Sequence, residues 1–454
     1  MTPRANSLPV QRTYATNEHL IYNSKLLQPA SANLFPCAKQ PTVHSCIRER
    51  HRMTTMDSHH SKAGQASPIY LDYNATTPIA REAAEAMTPY LTEHFGNPSS
   101  SHSYGTKTKQ AVQAARLQVA ALIGCQPHEI IFTSGGTESN NHALKGAALA
   151  HRERGNHIIT SAVEHPAVTE VCRWLETQGF RLTVLPADEQ GMVDPAALER
   201  TITSDTLLVT IMHANNEVGT IQPIAELAGI AHHHGALMHT DAAQSLGKIP
   251  VDVDELGVDL LSIAGHKLYA PKGIGALYTR TGVELAQLLH GASHEAGRRP
   301  GTENVLELVG LGQACHIASR DLAQNTAHFQ AVRDRLHEGL VCELGSGSVR
   351  LNGHPDKRLP NTLSLSFRGV QANTLLSKVG EQVAASAGAA CHADEVNVST
   401  VLEAMDVPLE WAMGTVRFSV GRDTTSAQVD RAVKIVAQAV RRLGPQAARP
   451  EEVR

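Results

Sequence analysis

The sequence lacks any apolar run long enough to span a membrane, and it lacks an excess of basic residues. Its 454 residues carry a formal net charge of -4 at neutral pH. A membrane span needs about 20 consecutive apolar residues, whereas nucleic acids and anionic lipids attract a strongly positive surface. We therefore expect a globular protein that acts on a small molecule and has no nucleic-acid or membrane partner.

Metal-binding and disulfide patterns are also missing. The seven cysteines form no C-x-x-C pair, and the 25 histidines form no H-E-x-x-H pair. An odd number of scattered cysteines argues against a disulfide framework, which predicts a reducing compartment and leaves room for one thiol with chemistry of its own. We expect no bound metal, and we interpret His232, His233 and His234 as a solvated helix end.

The first 67 residues have no apolar periodicity, many hydroxyl and basic side chains, and few acids. This composition predicts a disordered extension. It is typical of an organelle transit peptide, but an upstream region before a start at Met53 or Met56 would look the same. The predicted location is the cytoplasm or the matrix of a mitochondrion or plastid.

From Pro68 onward, short apolar runs alternate with amphipathic stretches, which predicts an α/β fold with a mostly parallel sheet layered by helices. The large domain should span residues 77–320. Residues 68–76 and 321–454 should form a smaller α+β domain. The predicted strands are Ile130 to Thr133, Ile158 to Ser161, Leu207 to Met212, Ala236 to Thr240, Leu260 to Ile263 and Ile274 to Tyr278.

Three features should meet at the carboxyl ends of these strands. The turn Gly135–Thr137 joins a strand to a helix and could bind a phosphate, while Asp241 and Lys267 each follow a strand. Each feature alone also fits a structural role: a tight turn, a helix cap or a surface lysine. Together they match pyridoxal 5'-phosphate (PLP), which needs a phosphate anchor, an acid at its ring nitrogen and an amine for its aldehyde.

Two further side chains carry possible chemistry. His165 precedes Pro166 after a predicted strand, so its imidazole could stack on the cofactor ring and move protons, or only cap a helix. Cys391 follows a run of small residues that indicates a pliable loop. Its thiol could be accessible, with His392 favouring the thiolate, or it could simply be a small buried residue.

From Ile69 to Leu443 the sequence resembles the cysteine desulfurases, class-V aminotransferase-like enzymes of PLP fold-type I with a seven-stranded type of sheet, and their close relatives the selenocysteine lyases. The motifs that carry the resemblance are residues 70–78 (YLDYNATTP), 95–100 (FGNPSS), 133–141 (TSGGTESNN), 164–165 (EH), 215–219 (NNEVG), 299–302 (RPGT) and 417–422 (RFSVGR), together with the Asp241 and Lys267 segments.

The resemblance implies a role for each matching residue. Lys267 would bind the cofactor covalently, Asp241 its ring nitrogen and Gln244 its ring hydroxyl, with His165 over the ring. The phosphate would contact Gly136, Thr137 and His266, with Thr302 reaching in from the second subunit of a homodimer. Arg417 and Asn216 would hold the substrate carboxylate, and Cys391 would receive the sulfur.

The implied reaction converts L-cysteine to L-alanine and leaves a persulfide on Cys391, for iron-sulfur cluster assembly or another sulfur acceptor. Selenocysteine lyase activity is the alternative within the class. An aminotransferase, another PLP lyase or a non-catalytic scaffold on the same fold are the alternatives outside it. The chain departs from the usual Ser-Gly-His-Lys of desulfurases, because Ala264 replaces the serine and its hydroxyl is missing.

Overall fold

The computed structural model describes residues 67–392 and 395–444; in residues 389–392 and 395–397 the description covers the backbone. The predicted extension, residues 1–67, lies outside the described residues except for Ser67. In chain order, the strands are β1 (Ile69–Tyr70), β2 (Ile130–Thr133), β3 (His157–Ser161), β4 (Arg181–Leu185), β5 (Thr206–Thr210), β6 (Leu237–Asp241), β7 (Leu260–Ala264), β8 (Gly275–Thr279), β9 (Val349–Asn352), β10 (Thr362–Phe367), β11 (Val383–Ala384), β12 (Ser386–Ala387), β13 (Ala389–His392), β14 (Glu395–Val398) and β15 (Thr415–Ser419).

The α-helices lie between these strands and after the last one. They are α1 (Arg81–Met87), α2 (Ser103–Ile123), α3 (Gly136–Ala150), α4 (Pro166–Thr177), α5 (Pro195–Thr201), α6 (Ile224–His233), α7 (Val253–Leu256), α8 (Val305–Arg320), α9 (Leu322–Leu344), α10 (Ala372–Val379), α11 (Thr400–Ala404), α12 (Leu409–Ala412) and α13 (Ser426–Leu443).

The main sheet has the strand order β2-β8-β7-β6-β5-β3-β4. β8 runs antiparallel to both of its neighbours, and the other pairs are parallel. β5 and β7 are buried along their whole length, as expected for strands that helices cover on both faces. The predicted α/β fold with a mostly parallel sheet is confirmed.

The sheet brings three chain segments to one edge. β6 ends at Asp241, and β7 ends at Ala264, directly before a single 3₁₀ turn that contains Lys267. α3 begins at Gly136, after β2 and the two residues Ser134 and Gly135. Because the carboxyl ends of parallel strands lie side by side, residues far apart in sequence become neighbours here.

A second sheet, in the order β12-β15-β10-β9, is antiparallel and packs against α9 and α13. Its apolar core combines Ile69 and Leu71 with residues between Phe329 and Val440, and is separate from the cores of the main sheet, whose members lie between residues 112 and 318. A further cluster packs Val163, Met212 and Val218 against residues between Val401 and Ala412, so the division into two domains, residues 77–320 and residues 68–76 with 321–454, stays a proposal.

The segment around Cys391 corrects one prediction. We expected an irregular loop, but Ala389–His392 pairs antiparallel with Glu395–Val398, so the backbone forms a hairpin. The backbone hydrogen bonds between two strands do not depend on apolar side chains. A run of small residues can therefore form a strand without the apolar pattern from which strands are predicted.

Among the described residues, no helix is both long and apolar enough to cross a membrane. In the same residues, His, Cys, Asp and Glu side chains form no group of three that could hold a metal ion.

Candidate active site

Lys267 lies half-buried at the sheet edge, and its amine points to the chain segment that follows β1. Its Nζ donates to the carbonyl oxygens of Asn74 and Ala75, the latter at 2.8 Å. Burial and then the positive charge of Arg417 lower the pKa of Lys267 to about 8, against the opposing effect of Asp72 and Asp241. A lysine with such a pKa has a reactive neutral fraction near neutral pH.

Asp241 is buried, and two donors fix its carboxylate. The Ala243 N–H donates to Oδ1 at 2.9 Å, and the Asn140 side chain donates to Oδ2 at 2.7 Å. The other side-chain atom of Asn140, Oδ1, is buried without a hydrogen-bond partner in the structure. These two hydrogen bonds hold the carboxyl group in place, where a ring nitrogen would need its acceptor.

The amino end of α3 lies beside the end of β7. Gly135 has a φ of +147°, where a side chain would be strained, and a Cβ atom on Gly136 would lie 3.2 Å from the Cβ of Ala264. Thr137 and His266 complete this corner of the cavity. Burial and then the charge of Lys267 lower the pKa of His266 to about 4, so its imidazole is neutral near pH 7.

Arg417, on β15, reaches the same cavity from the second sheet. Its Nη2 donates to Asp72 Oδ1 at 2.8 Å and its Nη1 to the carbonyl oxygen of Asn216 at 3.2 Å. Its Nε is buried without a hydrogen-bond partner in the structure. The guanidinium is therefore held in place while one of its donors remains for a carboxylate.

His165 is the N-cap of α4 and is partly accessible to solvent. Its Nδ1 accepts a hydrogen bond from the Ala167 N–H at 3.0 Å, so the neutral ring carries its proton on Nε2. The capping role and a role at the cavity, which His165 lines, are compatible because they use different ring nitrogens.

A cavity of about 280 Å³ brings these side chains together. It is lined by every predicted site residue except Thr302 and Cys391, namely Gly136, Thr137, His165, Asn216, Asp241, Gln244, His266, Lys267 and Arg417. Thr302 is exposed and lies before α8, away from this cavity. The Cys391 backbone lies in the hairpin that follows β12, and Ser386 of β12 pairs with Arg417.

Known proteins that are similar to this chain include class-V aminotransferases and cysteine desulfurases. The family model for class-V aminotransferases matches residues 69–432. The cysteine desulfurase IscS of Methanosarcina thermophila is 47% identical over 83% of this chain and 92% of its own length. The cysteine desulfurase IscS of Dictyoglomus turgidum is also 47% identical, over 83% of this chain and 95% of its own length. This chain belongs to the cysteine desulfurase family of class-V aminotransferases.

Solved structures agree with this family membership. A NifS-like protein superimposes with a TM-score of 0.78 at 36% identity, covering 83% of this chain and all of the other. The protein SspA in complex with cysteine gives a TM-score of 0.69 at 37% identity, covering 79% of this chain and all of the other.

PLP is the cofactor of this desulfurase family, and the cavity fits it. The amino end of a 15-residue helix with a glycine at its first position suits the phosphate, the fixed carboxylate of Asp241 suits the ring nitrogen, and the amine of Lys267 suits the aldehyde. Ala264 offers no hydroxyl at the phosphate corner, where the Thr137 hydroxyl and the backbone N–H groups of α3 remain.

Sequence reasoning assigned no individual role to three residues that hold the site together. Asp72 pairs with Arg417, Asn74 accepts from Lys267, and Lys248 donates to Gln244. Asp72 and Asn74 belong to a motif that carried the family resemblance, which was the available signal. Lys248 lies in a turn, outside the motifs that carried the resemblance, so the sequence gave no signal for it.

Proposed function

We propose that this chain is a PLP-dependent cysteine desulfurase that converts L-cysteine to L-alanine and transfers the sulfur to Cys391. The observation that carries the proposal is the convergence of Lys267, Asp241 and Arg417 on one cavity. An amine with a lowered pKa, a fixed carboxylate and a carboxylate-binding guanidinium are the three groups that an amino-acid substrate and this cofactor require.

The side chains around the cavity divide the work between binding and proton transfer. When bound, the cofactor supplies an electron sink beside the α carbon of the substrate. Arg417 and Asn216 hold the substrate carboxylate, which orients the α C–H bond. Lys267 would move the α-proton, and the Nε2–H of His165 would be available to donate a proton in the same cavity.

Cys391 is the proposed sulfur acceptor. Its thiolate attacks the substrate sulfur: an S–S bond forms, the substrate C–S bond breaks, and the electron pair stays on the carbon skeleton, which takes up protons and leaves as alanine. The ends of the hairpin support this role. Ser386 Oγ donates to Asp72 Oδ1 at 2.9 Å, and Ser399 Oγ donates to Glu217 Oε2 at 2.5 Å, so both flanking segments are fixed beside the substrate site.

Replacing Cys391 tests the proposal. In Cys391→Ala, we expect alanine formation from cysteine to fall about a hundredfold or more, because the nucleophile is lost. No persulfide should appear on the peptide that contains residue 391. Cys342→Ala is the matched control, since Cys342 is an exposed thiol of α9. Unchanged alanine formation in Cys391→Ala would indicate an aminotransferase or another PLP lyase.

Borohydride reduction of the loaded protein tests the cofactor assignment separately. Peptide analysis should find the reduced cofactor on Lys267. A protein without visible cofactor absorption would instead be a scaffold that keeps only the fold.

The choice of cysteine as substrate rests on the relatives, whose curated name is cysteine desulfurase, and on SspA, which was solved in complex with cysteine. Comparing turnover of cysteine with turnover of selenocysteine tests this choice. Negligible alanine from cysteine, with rapid release of selenide, would make the protein a selenocysteine lyase.

We also propose a homodimer in which Thr302 serves the partner's site. Phe95 and Tyr104 contact each other yet are 71% and 56% exposed, which suits a surface covered by a second copy. Mixing Lys267→Ala and Thr302→Ala protomers tests the arrangement. Activity should return in the mixed dimer, since one site then has both residues intact, and it should stay absent if Thr302 acts within its own chain.

The persulfide on Cys391 implies a thiol-bearing sulfur-acceptor protein and a reducing compartment, such as the cytoplasm or an organelle matrix. Cys125, Cys172, Cys315 and Cys342 are free thiols, in keeping with such a compartment. Persulfide transfer to a candidate acceptor in the presence and absence of reductant tests this part of the proposal.

A further inference from the structure

Lys248 is a buried amine for which the proposed reaction has no use. Its side chain is 5% exposed and lies in the turn between β6 and α7. Nζ donates to Gln244 Oε1 at 2.8 Å and reaches Asn74 Oδ1 at 3.4 Å. Thr326 of α9 donates to the Lys248 carbonyl oxygen at 2.8 Å, which fixes the backbone from the other side.

Such an amine is costly to bury. Burial, and then the positive charges of Lys267 and Arg417, hold the pKa of Lys248 well below its ordinary value. An apolar side chain of similar length would fill the same space without that cost. The purpose of the amine should therefore be found in what it donates to.

The acceptor is the Gln244 amide, whose two ends have nearly the same shape. Only hydrogen bonds decide which end points where. With Lys248 donating to Oε1, the Nε2 group donates to the Asn74 carbonyl oxygen at 3.1 Å and keeps a second N–H for the cavity that Gln244 lines. Without Lys248, the amide could turn and present its oxygen to the cavity.

We propose that Lys248 is a positioning residue for the cofactor, which fixes the Gln244 amide so that an N–H, and not the carbonyl oxygen, faces the cofactor's ring hydroxyl. This inference rests on the proposed function and on the assignment of Gln244 to that hydroxyl. Lys248 acts through Gln244 and has no contact of its own with the reacting atoms.

The test compares two ligands on cofactor-free protein by equilibrium binding: pyridoxal phosphate and its 3-deoxy analogue, which lacks the ring hydroxyl. Lys248→Met should weaken binding of pyridoxal phosphate about tenfold, the loss of one oriented hydrogen bond. Binding of the 3-deoxy analogue should change little. Lys272→Met, an exposed lysine replaced in the same way, is the control for the loss of charge.

A purely structural lysine gives a different result. If Lys248→Met weakens both ligands equally, or neither, the proposal is wrong. If Lys248→Met melts at a much lower temperature than the parent protein, Lys248→Gln is used in its place. The amide of the new glutamine can donate to Gln244 Oε1, the oxygen to which Lys248 donates. A smaller loss, again confined to pyridoxal phosphate, is then expected, and an equal loss for both ligands would again overturn the proposal.

Gln244→Glu separates this inference from the assignment beneath it. The variant removes the N–H that faces the cavity, so pyridoxal phosphate should lose its advantage over the 3-deoxy analogue. If Gln244→Glu removes the advantage but Lys248→Met does not, the Gln244 assignment stands and the role of Lys248 is rejected. If neither does, the assignment of Gln244 itself is wrong.

Discussion

The ionisation of Lys267 in the cofactor-free protein tests the electrostatics of the site directly. The amine is held against the carbonyl oxygens of Asn74 and Ala75, where water has limited access. Burial and the neighbouring Arg417 together lower its pKa to about 8, although Asp72 and Asp241 act in the opposite direction. The same lysine in an unfolded chain has a pKa of about 10.4.

The difference in reactivity is large. At pH 8 about half of the folded-state amines are neutral, against roughly 0.4% of amines with a pKa of about 10.4, a ratio on the order of a hundred. Replacing Arg417 by Met removes a positive charge from the site and leaves Asp72 without its partner. Both changes favour the ammonium form, so the pKa of Lys267 should rise in Arg417→Met.

Competitive acetylation read by mass spectrometry measures this pKa. The cofactor-free protein is labelled at a series of pH values, and the same protein in urea supplies the unfolded reference. The midpoint for Lys267 should lie near 8 in the folded protein and move upward in Arg417→Met. A folded-state midpoint at the unfolded value, or a downward movement in the variant, would refute the reasoning.

Three further predictions concern other groups of the site and core. Arg417→Lys keeps the charge but loses the planar guanidinium whose Nε remains for the substrate carboxylate, so KM for cysteine should rise about tenfold in steady-state kinetics with a smaller change in kcat. A fall confined to kcat would contradict this. Burial raises the pKa of Glu164 from 4.5 to about 8, so its contribution to stability is lost as the pH rises through that range. When the pH is raised from 5 to 9, the free energy of urea unfolding should therefore fall less for Glu164→Gln than for the parent protein. An identical fall in both proteins would count against this reasoning. Arg116→Met leaves the buried carboxylate of Glu295 without its ion-pair partner and should lower the free energy of unfolding by about 3–5 kcal/mol in chemical denaturation. Arg335→Met removes one partner of a solvent-exposed pair and should cost far less, and equal costs for the two variants would disprove the distinction.

The sheet was predictable from sequence where its strands are buried. The runs that form β2, β5 and β7 are mostly apolar because helices cover both faces. The ends of β6 and β7 placed Asp241 and Lys267 correctly at one edge. β4, Arg181–Leu185, was missed. It is an edge strand with an exposed arginine and an exposed valine, so its apolar pattern is too weak to read.

The residues that join the two halves of the site had no such local signal. Asn74 lies in an irregular segment, yet its carbonyl oxygen accepts from Lys267 and Gln244 of the main sheet. Its side chain donates to Thr362 Oγ1 at 2.8 Å and accepts from Asn361 at 2.9 Å, both beside the second sheet. The partners lie 170 to 288 positions away in sequence.

This arrangement couples cofactor binding to the packing of the two sheets. The Asn74 side chain is held by Asn361 and Thr362, while its carbonyl oxygen accepts from Lys267. In the loaded protein the Lys267 amine would no longer be available to Asn74, whereas Gln244 and Lys248 would still contact it. Lys248 therefore contacts both Gln244, which we propose binds the ring hydroxyl, and Asn74, which bridges the sheets. On that proposal an amine is retained where an apolar side chain would be cheaper to bury.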